Sequence, residues 1–118
     1  MSEKPISSGT SEGLKFDFGK PPLNLLDRHA LEEIAKVLDF GAKKYHEHNW
    51  RKGIQFSRLT GAALRHILAF NDGEDTDPET GVSHMAHAGC CIMFLIWMEK
   101  NRKDMDDRYK CNPNEGHG

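Results

Sequence analysis

The sequence predicts an all-α protein in which three main helices form a small bundle, preceded by an extended N-terminal arm. Three segments, 27–46, 57–71 and 78–103, carry apolar residues at the i, i+3, i+4 spacing of a helix. The alternation typical of a strand occurs only in Leu14–Phe18, and Gly19 and Pro21 end it at once. We therefore expect Leu14–Phe18 to be an arm that docks its phenylalanines on helices.

The first helix is expected to begin at Asp27, a residue type favoured as N-cap, and to stop by about His46. Its inward face follows from the apolar spacing: Leu31, Ile34, Ala35, Leu38, Ala42 and Tyr45. The next residues, Tyr45–Gly53, have no apolar period and end in glycine, so they are predicted to form a loop.

The second helix is expected to have Ser57 as N-cap and to close at Asn71-Asp-Gly. Its predicted inner side carries Leu59, Ala62, Ala63, His66, Ile67 and Phe70.

The third helix is expected to run from about Pro78 to Lys103, with Asp77 as N-cap, because both residue types are favoured at a helix start. From Ala88 to Met98 it is apolar on nearly all sides, which is typical of a helix buried all round. In so small a domain this predicts a central position or a homodimer interface. We therefore expect a homo-oligomer, a dimer or higher.

The chain of 118 residues is predicted to hold one domain, since length bounds the number of cores. Residues 1–13 read as a flexible tail, 14–103 as the helical domain and 104–118 as a polar C-terminal tail. The net charge of -2 argues against the bulk positive charge of a nucleic-acid binder, so no nucleic-acid partner is expected.

A cytoplasmic protein is expected, with no membrane partner. The N-terminus has no apolar signal region, and the run Ala88–Met98 is too short to cross a bilayer. The adjacent Cys90 and Cys91 point in different directions on a helix and, with Cys111, make no disulfide framework.

The segment Asn71–Cys91 combines acids with histidines, which is the pattern of a metal or catalytic site. Its acids are Asp72, Glu74, Asp75, Asp77 and Glu79, and they precede His84 and His87. A helix from Asp77 would put Asp77, His84 and Cys91 on one face, with Thr80 and His87 beside them. A carboxylate with two imidazoles can hold a divalent cation. The alternative is a solvated acidic turn before a helix and a buried polar layer.

A basic segment comes before the acidic one, and only Glu47 opposes its charge. Its cations are Lys43, Lys44, Arg51, Lys52, Arg58 and Arg65. If antiparallel helices bring both segments to one cavity, cations can bind phosphates there while carboxylates hold a metal. Trp50 or Tyr45 can stack on a base, and Asn49 can bind a base edge. The alternatives are a tryptophan lid over the core and cations on solvated faces.

Several segments resemble a family of small phage and prophage proteins described as dATP/dGTP diphosphohydrolase, N-terminal domain. They are Lys15–Leu23, Phe40–Tyr45, Asn49–Gly53, Ser57–Leu59, Ala62–His66, Asp77–Gly81 and His84–Cys91. The resemblance implies an all-helical protein that acts on purine deoxynucleotides with a divalent metal in the infected or lysogenic bacterial host. It makes the shared polar residues the site candidates: Lys43, Lys44, Asn49, Trp50, Arg51, Arg65, His66, Glu74, Asp77, His84 and His87.

The helical pyrophosphohydrolases usually compared with this family, of the MazG-like kind, hold metal with Glu-x-x-Glu on one helix and Glu-x-x-Asp on the next. Here His84-x-x-His87 stands where the second acidic pair is expected. The resemblance implies Mg²⁺ or Mn²⁺, whereas a site of His66, Asp77, His84 and His87 favours Mn²⁺, Zn²⁺ or another ion that binds imidazole.

Three functions compete at this point. The first is a metal-dependent diphosphohydrolase for dATP or dGTP, with Glu74, Asp77 and His84 as catalytic residues. Its substrate contacts are expected from Lys43, Lys44, Asn49, Trp50, Arg51 and Arg65. The second is a phage protein that sequesters a nucleotide, or an immune signalling nucleotide, without cleaving it. The third is a purely structural oligomer.

Overall fold

The computed structural model describes residues 19–110, and within them the chain is all-α, as predicted. The three helices are α1 (Arg28–Lys44), α2 (Phe56–Asn71) and α3 (His84–Asn101). Short 3-10 helices occupy Leu23–Leu25, Asn49–Lys52 and Lys103–Met105. The only extended pairing within 19–110 is a single bridge between Thr76 and Ser83. The predicted tail 1–13, the arm Leu14–Phe18 and residues 111–118 lie outside the described residues.

None of the helices between residues 19 and 110 combines the length and the hydrophobicity needed to cross a membrane.

The predicted start of α1 is confirmed. Asp27 is the N-cap, and its Oδ2 accepts a hydrogen bond of 2.8 Å from the backbone N–H of Ala30, which satisfies one of the free donors of the first turn. The helix ends at Lys44, close to the predicted end. No residue of α1 is fully buried, although its apolar spacing is clear.

The predicted cap of α2 was wrong. The helix begins at Phe56 with Gln55 as N-cap, and Ser57 lies inside the first turn. The backbone N–H and the hydroxyl of Ser57 both donate to the carboxylate of Asp107. These bonds lower the pKa of Asp107. A carboxylate from beyond α3 thus replaces the local cap, and a carboxylate is favourable at a helix N-terminus.

The predicted start of α3 was also wrong. The helix begins at His84, and Ser83 is the N-cap, accepting hydrogen bonds from Met85 and Ala86. The residues after Asp77 form one turn, closed by a 2.7 Å bond from the N–H of Gly81 to the carbonyl of Asp77. Gly81 has φ +73°, a left-handed conformation that ends a helix. The alignment of Asp77 with His84 on one helix face therefore does not occur.

Helices α2 and α3 run antiparallel, with an apolar core at one end of the pair. Phe56 and Leu59 at the start of α2 pack with Met98 near the end of α3, and Met98 is fully buried. Partly buried residues surround this cluster: Trp50, Ile54, Cys91, Phe94, Leu95, Trp97 and Met105. The opposite end of the pair carries polar side chains.

Helix α1 packs on α3 at Gly89, where a Cβ would lie 3.1 Å from Ile34 Cδ1. The expectation that α3 is covered on all sides does not hold for the single chain, because Ile92 is 47% and Ile96 is 59% exposed.

The loop before α2 is fastened by residues that follow α3. Arg102 donates to the backbone carbonyl of Lys52 and forms an ion pair of 2.8 Å with Asp104. Met105 packs against the apolar core. Ordered contacts thus continue beyond residue 103 into the segment read as a polar tail.

We expect Gly53→Ala to lower the free energy of unfolding by about 1 kcal/mol more than Gly73→Ala, since Arg102 must give up a hydrogen bond. Both glycines have positive φ, +116° and +104°, so both substitutions strain the backbone. Only at Gly53 does a Cβ meet side chains, 2.9 Å from Arg102 Nη1 and from Met105 Sδ. Urea unfolding measures the difference, and equal losses would contradict this packing.

Candidate functional site

The polar end of the α2–α3 pair is built around a contact between two histidines. His66, in the second half of α2, and His84, the first residue of α3, place their Nδ1 atoms 2.8 Å apart. His84 is only 3% exposed. Two ring nitrogens at this distance share one proton, so one imidazole donates and the other accepts.

Glu74 fixes the roles of the two nitrogens of His84. Its Oε1 lies 2.7 Å from His84 Nε2, and the carboxylate is about half exposed. A carboxylate only accepts, so His84 Nε2 carries the proton and its Nδ1 has a free electron pair. His66 Nδ1–H therefore donates to His84. A histidine that offers one nitrogen while a carboxylate holds the other is the usual arrangement of a metal ligand.

A second chain of hydrogen bonds joins Asp77, Thr80 and His87. Asp77 Oδ2 accepts from the backbone N–H of Thr80 at 3.0 Å and from its hydroxyl at 3.1 Å. Thr80 Oγ1 lies 2.7 Å from His87 Nε2. Since the hydroxyl hydrogen points to Asp77, His87 Nε2–H donates to Thr80, which leaves His87 Nδ1 unprotonated. The His87 ring stacks on His66 at 4.5 Å between centroids.

The environment keeps these groups in the forms that bind metals. Burial lowers the pKa of His66, and the neighbouring His87 and His84 lower it further. Burial also lowers the pKa of His87, against the opposing effect of Asp77. For Asp77 burial acts to raise the pKa, but the hydrogen bonds from Thr80 and the nearby imidazoles lower it overall. At neutral pH His66 and His87 are therefore neutral imidazoles and Asp77 is an ionised carboxylate, the forms that metal ligation requires.

His66, Asp77 and His84 fit a metal ion by position as well as by chemistry. One ligand atom from each lies within 4.8 Å of the other two. Metal bonds to nitrogen and oxygen are about 2.0–2.2 Å long, so small side-chain movements bring all three atoms to one ion. His87 stands beside this set, with its Nε2 4.0 Å from Asp77 Oδ2 and held by Thr80.

The predicted cations do not all gather at this cluster. Lys43 pairs with Asp39 at 3.0 Å, and Lys44 lies over the ring of Tyr45. Arg65 is exposed and forms no salt bridge with any residue from 19 to 110. Its charge contributes to the lowered pKa of His66. Arg65 is thus the predicted substrate cation whose charge reaches the histidines.

The loop residues predicted to bind a base lie elsewhere, around a cavity of about 770 Å³ between α1, the loop 45–54 and α3. Asn49, Trp50 and Arg51 line it, as do Tyr45, Cys90 and Phe94. Trp50 stacks on Phe94 at 4.3 Å between centroids, and the Arg51 guanidinium lies over the Trp50 ring. Trp50 therefore belongs to the packed aromatic group next to the core.

The histidine cluster does not line this cavity. One cavity was expected to hold both the basic and the acidic segment. The structure instead has two separate sites along α3, the histidine cluster and the cavity. The Cys90 thiol lines the cavity, and burial raises its pKa to about 12, so it is present as the uncharged thiol.

Sequence reasoning did not include Thr80 among the site residues, although it connects Asp77 to His87. The Asp-x-x-Thr spacing of Asp77 and Thr80 could have predicted this contact. An aspartate commonly accepts from the backbone three residues on, and that geometry places the threonine hydroxyl within reach.

Comparisons with known proteins agree with the resemblance read from the sequence. The model of a family described as dATP/dGTP diphosphohydrolase, N-terminal, matches residues 10–108. A protein of Salmonella phage PMBT28 named dATP/dGTP diphosphohydrolase is 46% identical over 96 residues, which make up 81% of this chain and 33% of the relative. The chain thus spans about a third of the length of that relative. No solved structure matches it. The family match and the identity establish that the chain belongs to the dATP/dGTP diphosphohydrolase N-terminal family.

Proposed function

We propose that this protein is a metal-dependent diphosphohydrolase that acts on dATP and dGTP. Water adds across the α–β phosphoanhydride bond, and the products are the deoxynucleoside monophosphate and inorganic pyrophosphate. The observation that carries the proposal is the convergence of His66, Asp77 and His84, with Glu74 behind His84. The choice of substrate comes from the name of the phage relative.

In this proposal His66, Asp77 and His84 hold the divalent ion. A metal ion at such a site neutralises phosphate charge and favours ionisation of water. Two imidazoles with one carboxylate suit Mn²⁺ or Zn²⁺ better than Mg²⁺, which prefers oxygen ligands. Glu74 acts as a positioning residue, because it fixes the tautomer and the orientation of His84. This role differs from the catalytic one expected from sequence.

His87 is the proposed proton acceptor. Its Nε2–H is engaged by Thr80, and burial lowers its pKa. The imidazole is thus neutral at pH 7 and has a free electron pair on Nδ1. A neutral imidazole next to the metal ligands can accept the proton of the attacking water.

The nucleotide is proposed to extend from the cluster toward the cavity. Arg65 contacts the phosphates, and the nucleoside enters the cavity lined by Asn49 and Tyr45. His87 and Cys90, which lines the cavity, are one turn of α3 apart, about 4.5 Å along the axis. A triphosphate chain is long enough to connect two places so spaced. Lys43 and Lys44 stay predictions as further phosphate contacts.

A protein that sequesters nucleotides without cleaving them is the less supported candidate, because the name of the relative describes a hydrolase. We further propose that the protein works as a homo-oligomer in the cytoplasm of the bacterial host, where its substrates are made.

Loss of His84 should abolish metal binding. The wild-type protein is expected to take up one Mn²⁺ or Zn²⁺ per chain in isothermal titration calorimetry, and His84→Ala none. His29→Ala is the matched control, since His29 is exposed on α1 and is not one of the clustered ligands. Circular dichroism verifies that the variants are folded. Equal uptake by folded His84→Ala would refute this site.

Glu74→Gln should lower the affinity for the metal ion about 10- to 100-fold while leaving the three ligands in place, because an amide orients the imidazole less strongly than a carboxylate. Glu79→Gln makes the same charge change on an exposed neighbour that forms no hydrogen bond to a histidine between residues 19 and 110. If both variants bind equally well, Glu74 does not position His84.

Arg65→Ala should raise the KM for dATP and dGTP about 10- to 100-fold, the effect of losing a charged hydrogen bond to phosphate. Arg58 lies two turns earlier on α2 and is also exposed, so Arg58→Ala is the control. Chromatography of the products with Mn²⁺, Zn²⁺ or Mg²⁺ follows the reaction. Intact nucleotide with every metal would exclude hydrolysis, and bound nucleotide in that case would favour sequestration.

A further inference from the structure

We propose that a second copy of this chain docks on one face of the α2–α3 pair, which we call the α2–α3 face. This face is the surface through which the homo-oligomer proposed above would form, and the proposal does not depend on the hydrolytic activity. The face consists of six apolar side chains: Leu64, Ile67 and Leu68 on α2, and Met85, Ile92 and Ile96 on α3. Their exposed fractions range from 38% for Ile67 and Met85 to 59% for Leu68 and Ile96.

The six side chains lie on the same side of the pair. At 100° per residue, the apolar stripe is turned from its helix's contact face by about 140° on α2 and about 120° on α3, in the same rotational sense. The contact faces are marked by Leu59 and His66 on α2 and by His84 and Met98 on α3. Since the two helices run antiparallel, equal rotations turn both stripes to one side. They form a continuous apolar surface rather than scattered exposed residues.

The α2–α3 face lacks the charged residues that a solvent-exposed helix face normally carries. Helix α3 has no charged residue from His84 to Met98, and α2 has only Arg58 and Arg65. Helix α1, in contrast, carries seven: Arg28, Glu32, Glu33, Lys36, Asp39, Lys43 and Lys44. A helix with a solvated face normally carries charges there, as α1 does. Large contiguous apolar patches on a protein surface mark interaction sites.

Outside the described residues, the sequence offers few large apolar side chains to cover this face. Outside the described residues, 111–118 contain none of the large apolar types, and 1–18 contain only Met1, Ile6, Leu14, Phe16 and Phe18. Within 19–110 only seven apolar residues are buried. We therefore take a second molecule as the proposed cover of the face.

A second copy matches this requirement in shape and chemistry. A face made of two antiparallel helices is self-complementary under a twofold axis, because each copy presents the same surface. Two such pairs packed together give a four-helix arrangement, a common way to bury apolar stripes. The α2–α3 face has no acid or base at its centre that would repel its own copy.

Sedimentation equilibrium between 1 and 100 µM tests the proposal with the full chain. The wild type is expected at twice the mass of the chain. Leu68→Glu and Ile96→Glu should each weaken dimerisation at least 100-fold, because they put a charge in the apolar contact. Leu25→Glu is the control, since Leu25 is 77% exposed and is not one of the six residues of this face. Circular dichroism verifies folding, which substitutions at exposed positions preserve.

Three outcomes would overturn the proposal. The wild type is a monomer at 100 µM, as expected if another protein or the missing part of a longer chain covers the face. Alternatively, the dimer survives both Leu68→Glu and Ile96→Glu, or Leu25→Glu disrupts it as strongly as they do. Metal binding and nucleotide hydrolysis are measured separately, so failure of the dimer leaves the proposed function standing.

Discussion

The buried imidazole of His84 is the constraint on which the polar end of the molecule depends. It is the first residue of α3 and 3% exposed, so both of its nitrogens need partners within the protein. His66 supplies one partner from α2, and Glu74 supplies the other from the connection between the helices. The connection must therefore fold back over the helix ends, and this places Asp77 beside the imidazoles. The same hydrogen bonds that satisfy His84 assemble the candidate metal site.

Helix α3 links the parts of the structure. Its end packs Met98 into the apolar core, its start holds His84 and His87, and Cys90 and Phe94 line the cavity between them. The apolar core around Met98 is thus separated from the histidine cluster. A rigid helix anchored at one end by close packing is a suitable support for polar groups at the other, because catalytic and metal-binding residues need fixed positions.

Sequence patterns predicted the three helices because apolar spacing and the Asp27 cap are local properties. The caps of α2 and α3 were mispredicted for reasons that are not local. Asp107, some fifty residues away, serves the start of α2, and Gly81 with Ser83 displaces the start of α3 from Asp77. Among the site residues, His66, Asp77 and His84 were selected by residue type. These three residues lie close together because of the turn at Asp77 and not because they share one helix face, as was expected.

The central proposal, which the cluster geometry supports, is that His66, Asp77 and His84 are ligands of a single divalent ion. Anomalous diffraction from crystals grown with Mn²⁺ or Zn²⁺, recorded on both sides of the metal absorption edge, tests it most directly. We predict one strong peak per chain, bonded to one ring nitrogen of His66, one ring nitrogen of His84 and the Asp77 carboxylate, with Glu74 still on His84 Nε2. A peak at other side chains, or none at saturating metal, would contradict it.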